Sequence, residues 1–119
     1  MPYFALLYEA TPDYVARRLA LREDHLHLAR ASSARGELLF GGAFADPVDR
    51  ALLVFQAADA SVVEDFAKND PYVVNGLVAR WEVRPWTVVV GALFEGNSSE
   101  LAAPKVAAAE DRVRQELGE

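Results

Sequence analysis

The 119-residue sequence predicts an α+β fold whose elements run β-α-β-β-α-β, and three observations carry that expectation. An aromatic-rich apolar segment opens the chain, and a long helical stretch bounded by proline and glycine follows it. Two short apolar runs joined by a turn then precede a second helix and a last apolar strand. Such an order gives an antiparallel four-stranded sheet with two helices on one face, the ferredoxin-like arrangement.

Residues 3–8 suit a buried strand. Thr11, Pro12 and Asp13 supply an N-cap, a proline at the first helical position and an early acidic residue, so the first helix is expected over residues 12–34, ended by Gly36. Residues 37–44 and 51–56 read as strands joined by a hairpin at Asp46-Pro47-Val48-Asp49-Arg50. Ser61-Val62-Val63-Glu64 is a capping-box pattern opening a helix over 62–68. Asp70-Pro71 looks like a second cap, with residues 71–77 forming a helical turn or two closed by Gly76. Residues 81–90 alternate and then become continuously apolar, as a central strand does. The strands near Leu38, Leu52 and Val88–Val90 are apolar on both parities, so both sheet faces ask for burial. A second copy would supply it, giving a homodimer of the dimeric α/β-barrel type. The domain is expected over residues 1–91. Residues 92–119 read as an extension, a linker at Gly96-Asn97-Ser98-Ser99 and then an Ala-rich helix over 105–117 that either docks on the core or a partner subunit or else frays.

A hydrophobic content of 52% permits a real core without disulfides, and the absence of cysteine removes thiol nucleophiles and cysteine-held metals. With a net charge of −6 and no basic run interleaved with aromatics, nucleic acid is not an expected partner. No basic leader region precedes the first strand and no apolar stretch is long enough to span a bilayer, so the expectation is a cytoplasmic protein with no membrane partner. Gly41-Gly42 lacks the context of a phosphate loop and reads as a bulge or a close backbone approach. Glu23, Asp24, His25 and His27 diverge around a helix and make no metal site, and no cofactor is expected.

The chemistry centres on His25. Advancing about 100° per residue places Val15, Leu19, Leu26 and Ala29 in one arc, taken as the sheet-facing stripe, with Arg22 at its edge. Arg18, His25 and Ser32 share a flank, while His27 points to solvent. Asp70 can accept from one ring nitrogen of His25, leaving the other for a small-molecule substrate. On spacing alone the plainer alternatives stay open: a boundary histidine bonded to backbone or water, an aspartate that only caps a helix, and arginines lying along an apolar stripe. Trp81 and Trp86 suit the core or an interface, and Trp86, Tyr72 or Phe44 can wall a ring-shaped ligand.

With those residues in place, residues 1–91 resemble the YCII-related (YciI-like) family of small dimeric ferredoxin-like proteins. The match runs from the aromatic first strand through Arg18 and Arg22 ahead of His25-Leu26, and Gly36-Glu37-Leu38-Leu39 with Gly41-Gly42. It continues through Asp70-Pro71-Tyr72 and Gly76-Leu77 to Val83-Arg84-Pro85-Trp86. The resemblance implies a His–Asp pair in a pocket near the dimer interface, carried by His25 and Asp70. One branch of the family acts on chlorinated hydroxyquinols as a dehydrochlorinase. This chain departs from the family in the loop over 46–50 and beyond Gly91, which puts the substrate in question. The leading expectation is a cofactor-independent lyase or isomerase. In it His25 is general acid or base, Asp70 orients it, and Arg18 or Arg22 holds a developing oxyanion. Ser32 and Tyr72 help to orient the substrate, and Phe44 and Trp86 form the wall. The rival expectations are a non-catalytic small-molecule-binding or interaction module and a dimeric α/β-barrel monooxygenase.

Overall fold

The computed structural model describes residues 1–94 and divides into two units, Met1–Thr87 and Val88–Glu119. The first holds β1 (Tyr3–Ala10), α1 (Tyr14–Ala34), β2 (Leu38–Ala43), β3 (Arg50–Gln56), α2 (Ala60–Asn69), α3 (Pro71–Val74) and β4 (Val78–Trp86). The strands form one antiparallel sheet in the order β2-β3-β1-β4, the ferredoxin-like topology. In the second unit the described residues form a turn in which the Phe94 N–H donates to the Gly91 carbonyl at 3.1 Å. The linker and helix expected over 96–117 lie outside the described residues.

Alternation on the central strand organises the core. Phe4, Leu6 and Tyr8 are buried, and their register partners Phe55, Leu53 and Ala51 on β3 and Pro85, Val83 and Trp81 on β4 share their face. Val63, Phe66, Ala67 and Leu77 complete that core from the helical side. The opposite face carries Tyr3, Ala5 and Leu7, opposed by Gln56, Val54 and Leu52 on β3 and by Trp86, Arg84 and Glu82 on β4. It is therefore apolar toward β2 and β3 and charged along β4, rather than apolar throughout.

Several boundaries differ from expectation, each for an identifiable reason. Helix α1 begins at Tyr14, because Thr11 is occupied in a turn: its hydroxyl bonds Asp13 at 2.6 Å and the Leu77 carbonyl at 3.1 Å. Its inward line is Tyr14, Arg18, Leu21, His25, Leu28 and Ser32, all buried or half-buried, whereas Val15 and Leu19 are 52% and 78% exposed. The apolar residues of α1 are scattered around the helix: Leu21, Leu28 and Ala29 pack on the core while Val15 and Leu19 face solvent. The inward face also carries the polar and aromatic line that meets Tyr72 and Asp70. Helix α2 is capped by Asp59, not Ser61; the Asp59 carboxylate accepts from the Ser61 N–H at 2.9 Å and from the Ser61 hydroxyl. Those bonds hold the Asp59 carboxyl below its ordinary range.

Strand β4 spans Val78–Trp86 instead of 81–90 and lies at a sheet edge. Gly76, at φ +78°, closes the α3 turn, and the Leu77 N–H bonds the Tyr72 carbonyl, so the chain enters the sheet at once. At the far end Trp86 pairs with Tyr3, the first residue of β1, and the strand ends there. Gly41 marks a close approach: a Cβ there would meet Leu53 Cγ at 2.9 Å.

Candidate active site

Three elements converge beneath the sheet end near β2. Asp70 lies where α2 hands over to α3 and caps α3, its Oδ1 accepting from the Tyr72 N–H at 3.0 Å, with Pro71 at the first helical position. The inward line of α1 places His25 opposite, and its Nδ1 lies 2.8 Å from the same Oδ1. Strand β1 contributes Tyr8, whose hydroxyl donates to Asp70 Oδ2 at 2.7 Å. Asp70 is fully buried and the His25 side chain is 17% exposed, so a sealed carboxylate supports an imidazole that still reaches solvent.

The Tyr72 N–H donates to Asp70 Oδ1 and the Tyr8 phenol to Oδ2, so both carboxyl oxygens accept. His25 Nδ1 lies on the same Oδ1, and a proton on Nδ1 would leave Nε2 as the acceptor nitrogen of the neutral ring. Burial, the Asp70 charge and the bond to Asp70 push the Tyr8 phenol far above its ordinary range, so it stays a donor.

The ring of Tyr72 stacks on His25 with centroids 4.0 Å apart and planes 12° apart, and Tyr14 meets Tyr72 edge-on at 5.6 Å. The Arg18 guanidinium lies 5.5 Å from the Tyr14 ring centre. Burial and then Tyr14 push the Tyr72 phenol upward, while the charges of Arg22 and Arg18 oppose the shift, so positive charge reaches this aromatic pair. A cavity of about 110 Å³ opens beside His25, walled by Tyr14, Tyr72, Leu26, Leu38 and Leu53 and bounded by Gly41 and Gly42 of the edge strand. That volume suits one small ring. A larger hollow of about 310 Å³ lies on the open sheet face among Glu9, Arg50, Arg80 and Glu82, away from His25.

Of the residues singled out from sequence, the structure brings together His25, Asp70 and Tyr72, with Arg18 beside them on Tyr14 and exposed Arg22 in range of Tyr72. The other three lie elsewhere. Ser32 is buried on the same line of α1 but borders a separate hollow with Glu37, Asp65 and Asn69. Phe44 follows the end of β2 and is 47% exposed, and Trp86 is 46% exposed on the open face. His27 is exposed, as expected. Tyr8 and Tyr14 were not anticipated at the site. The alternation of Phe4, Leu6 and Tyr8 was the available signal for Tyr8, since a tyrosine on a buried face needs a partner for its hydroxyl. Among the described residues, no group of three or more His, Cys, Asp or Glu is arranged to hold a metal ion, and no helix is long and apolar enough to cross a membrane.

These features define a class: a ferredoxin-like α+β protein with an imidazole–carboxylate pair at the edge of a small apolar cavity. More specifically, the chain belongs to the YCII-related family, whose model matches residues 1–87. Among solved structures it is similar to the 5-chloro-2-hydroxyhydroquinone dehydrochlorinase TftG of Burkholderia phenoliruptrix AC1100, described in complex with 2,5-dihydroxybenzoquinone. The two are 21% identical, with a TM-score of 0.63 over 73% of this chain and 95% of that one. It is also similar to a NIPSNAP family protein of Agrobacterium tumefaciens, at 12% identity and a TM-score of 0.51 over 77% and 97% of the two chains. At these identities the likeness establishes the fold alone. Comparison with curated proteins finds no match.

Proposed function

We propose that this protein is a cofactor-independent acid–base enzyme, a lyase or isomerase acting on a hydroxylated aromatic or otherwise enolisable small molecule. The observation that carries the reading is the 2.8 Å contact between His25 Nδ1 and buried Asp70, beside a cavity sized for one ring. His25 Nε2 takes a proton from a substrate C–H or O–H, and the electron pair of that bond stays on the substrate as an enolate or phenolate. Asp70 holds the ring in place and stabilises the imidazolium that forms. Arg18 and Arg22 supply positive charge for the developing oxyanion, and the stacked Tyr72 ring fixes the plane of the imidazole. In an elimination the leaving group departs with its bonding electrons and the proton on Nε2 returns to water. In an isomerisation the same proton is redelivered to another carbon. The similarity to TftG supports a hydroxylated ring as substrate, and the loss of chloride named for that enzyme is one elimination this arrangement can perform.

The test is a turnover screen of chlorinated and unchlorinated hydroxyquinols, other phenols and enolisable ketones, with solvent deuterium uptake read by NMR. His25→Ala should lower the rate about 10²–10⁴-fold. Arg18→Ala and Arg22→Ala should instead weaken binding of anionic ligands. Absence of turnover across the screen, with ligand affinity indifferent to His25→Ala, overturns the enzyme reading.

A further inference from the structure

Tyr8 stands outside the proton transfer just described, yet it is the hydroxyl bonded to the carboxylate oxygen that no backbone group serves. Asp70 Oδ1 receives the Tyr72 N–H and His25 Nδ1, whereas Oδ2 receives the Tyr8 hydroxyl at 2.7 Å. Tyr8 is carried by the central strand, paired to Ala51 on one side and Trp81 on the other, so its oxygen is placed by the sheet and not by the junction that carries Asp70. We propose that Tyr8 is a positioning residue that keeps Asp70 an ionised acceptor and thereby fixes the neutral His25 proton on Nδ1, reserving Nε2 as the base. The inference rests on the reading of His25 as the acid–base group.

The argument turns on what a buried oxygen does when it loses its donor. With the Tyr8 hydroxyl removed, Oδ2 loses its side-chain donor in a site buried from bulk solvent, and leaving it so is costly. In the proposed response the carboxyl takes one proton from solvent and is neutralised. A protonated Asp70 donates to Nδ1, so that nitrogen becomes the acceptor and the ring carries its own proton on Nε2, exchanged through water. His25 would then face a substrate with a donor where the mechanism needs a base. The raised phenol of Tyr8 fits the same picture, because a group with that environment does not surrender its proton to Asp70.

The experiment needs no substrate. Long-range ¹H–¹⁵N spectra of uniformly labelled full-length protein report which imidazole nitrogen carries hydrogen, and solvent-exposed His27 serves as the internal reference. At a pH where the ring is neutral, wild-type His25 should be the Nδ1–H form. Tyr8→Phe should lower the ratio of Nδ1–H to Nε2–H about tenfold or more. Placing 3-fluorotyrosine at position 8, which keeps the hydroxyl donor, should keep the wild-type ratio. An unchanged ratio in Tyr8→Phe overturns the proposal, as does an Nε2–H form in the wild type, a result that stands even if Tyr8→Phe does not fold. A failed turnover screen would sink the enzyme reading while leaving these spectra as they are, so the two failures are separable.

Discussion

A carboxylate sealed from water is stable only when its charge is answered by donors, and at Asp70 those donors come from a strand, a helix and a helical turn. The bonds to Tyr8, His25 and the Tyr72 N–H make the residue a structural tie as well as a site residue. Asp70→Ala should therefore cost about 3 kcal/mol of stability, read as a lower urea midpoint, because each donor is left without its acceptor. The phenols add a pH dependence whose sign follows from linkage. Tyr8 lies above its ordinary value of 10.0 in the folded protein, so below that pH both states hold the proton and the stabilisation is complete. As pH rises past it, the unfolded chain loses the proton first and stability falls. Unfolding followed from about pH 9 to 11 should show this decline, and Tyr8→Phe should flatten it. Little of this pairing was legible locally. His25 and Asp70 are separated by 45 positions, and an aspartate before a proline has a sufficient explanation as a cap. It was the ordered resemblance to the YCII-related family that joined them, while Tyr8 read as another core aromatic of the first strand.

Elements were easier to find than to orient. The order of strands and helices followed from punctuation, since Gly36, Asp70-Pro71 and Gly76 each stand where an element starts or stops, and Gly36 and Gly76 take positive φ values of 79° and 78°. Of the stripe expected on α1, Leu26 and Ala29 are half-buried beside the His25 cavity, while Val15 and Leu19 face solvent, because the line that packs inward is partly polar and meets a buried carboxylate distant in sequence. Strand β4 was placed too late for a related reason. Its apolar continuation at Val88–Val90 looks strand-like, but β1 ends as a partner at Tyr3. The glycine pair in β2 shows how an element can shape the site. A Cβ at Gly41 meets Leu53, a cavity wall, at 2.9 Å, whereas one at Gly42 meets nothing within 4 Å. Gly41→Ala should accordingly cost about 1 to 3 kcal/mol and weaken binding of any ring-sized ligand, with Gly42→Ala close to neutral on both counts. Thermal melts and ligand titrations of the two variants make the comparison.

For the whole molecule, the open face of the sheet is the surface on which an assembly can be argued. Phe40 is 59% exposed there and pairs with Val54, a residue buried outside the helix-side core, and Leu7 and Leu52 continue the apolar area across β1 and β3. On β4 the same face presents Arg80, Glu82 and Arg84 in alternation. A twofold axis falling between two of these positions sets Arg opposite Glu in the second copy, while an apolar strip beside them supplies the driving force that exposed ion pairs lack. We propose that a second copy of this chain covers the face, in a homodimer with the apolar strip as the centre of the interface and the β4 charges at its rim. Sedimentation at micromolar concentration should show a dimer. Phe40→Asp or Leu52→Glu should drive it to monomer while circular dichroism stays unchanged, since both side chains lie off the helix-side core. Arg84→Glu should weaken association by a smaller factor that shrinks with added salt, as expected for screened rim charges. A wild-type monomer at high micromolar concentration would remove the basis for this assembly, and the exposed Phe40 and Trp86 would then call for a different covering partner.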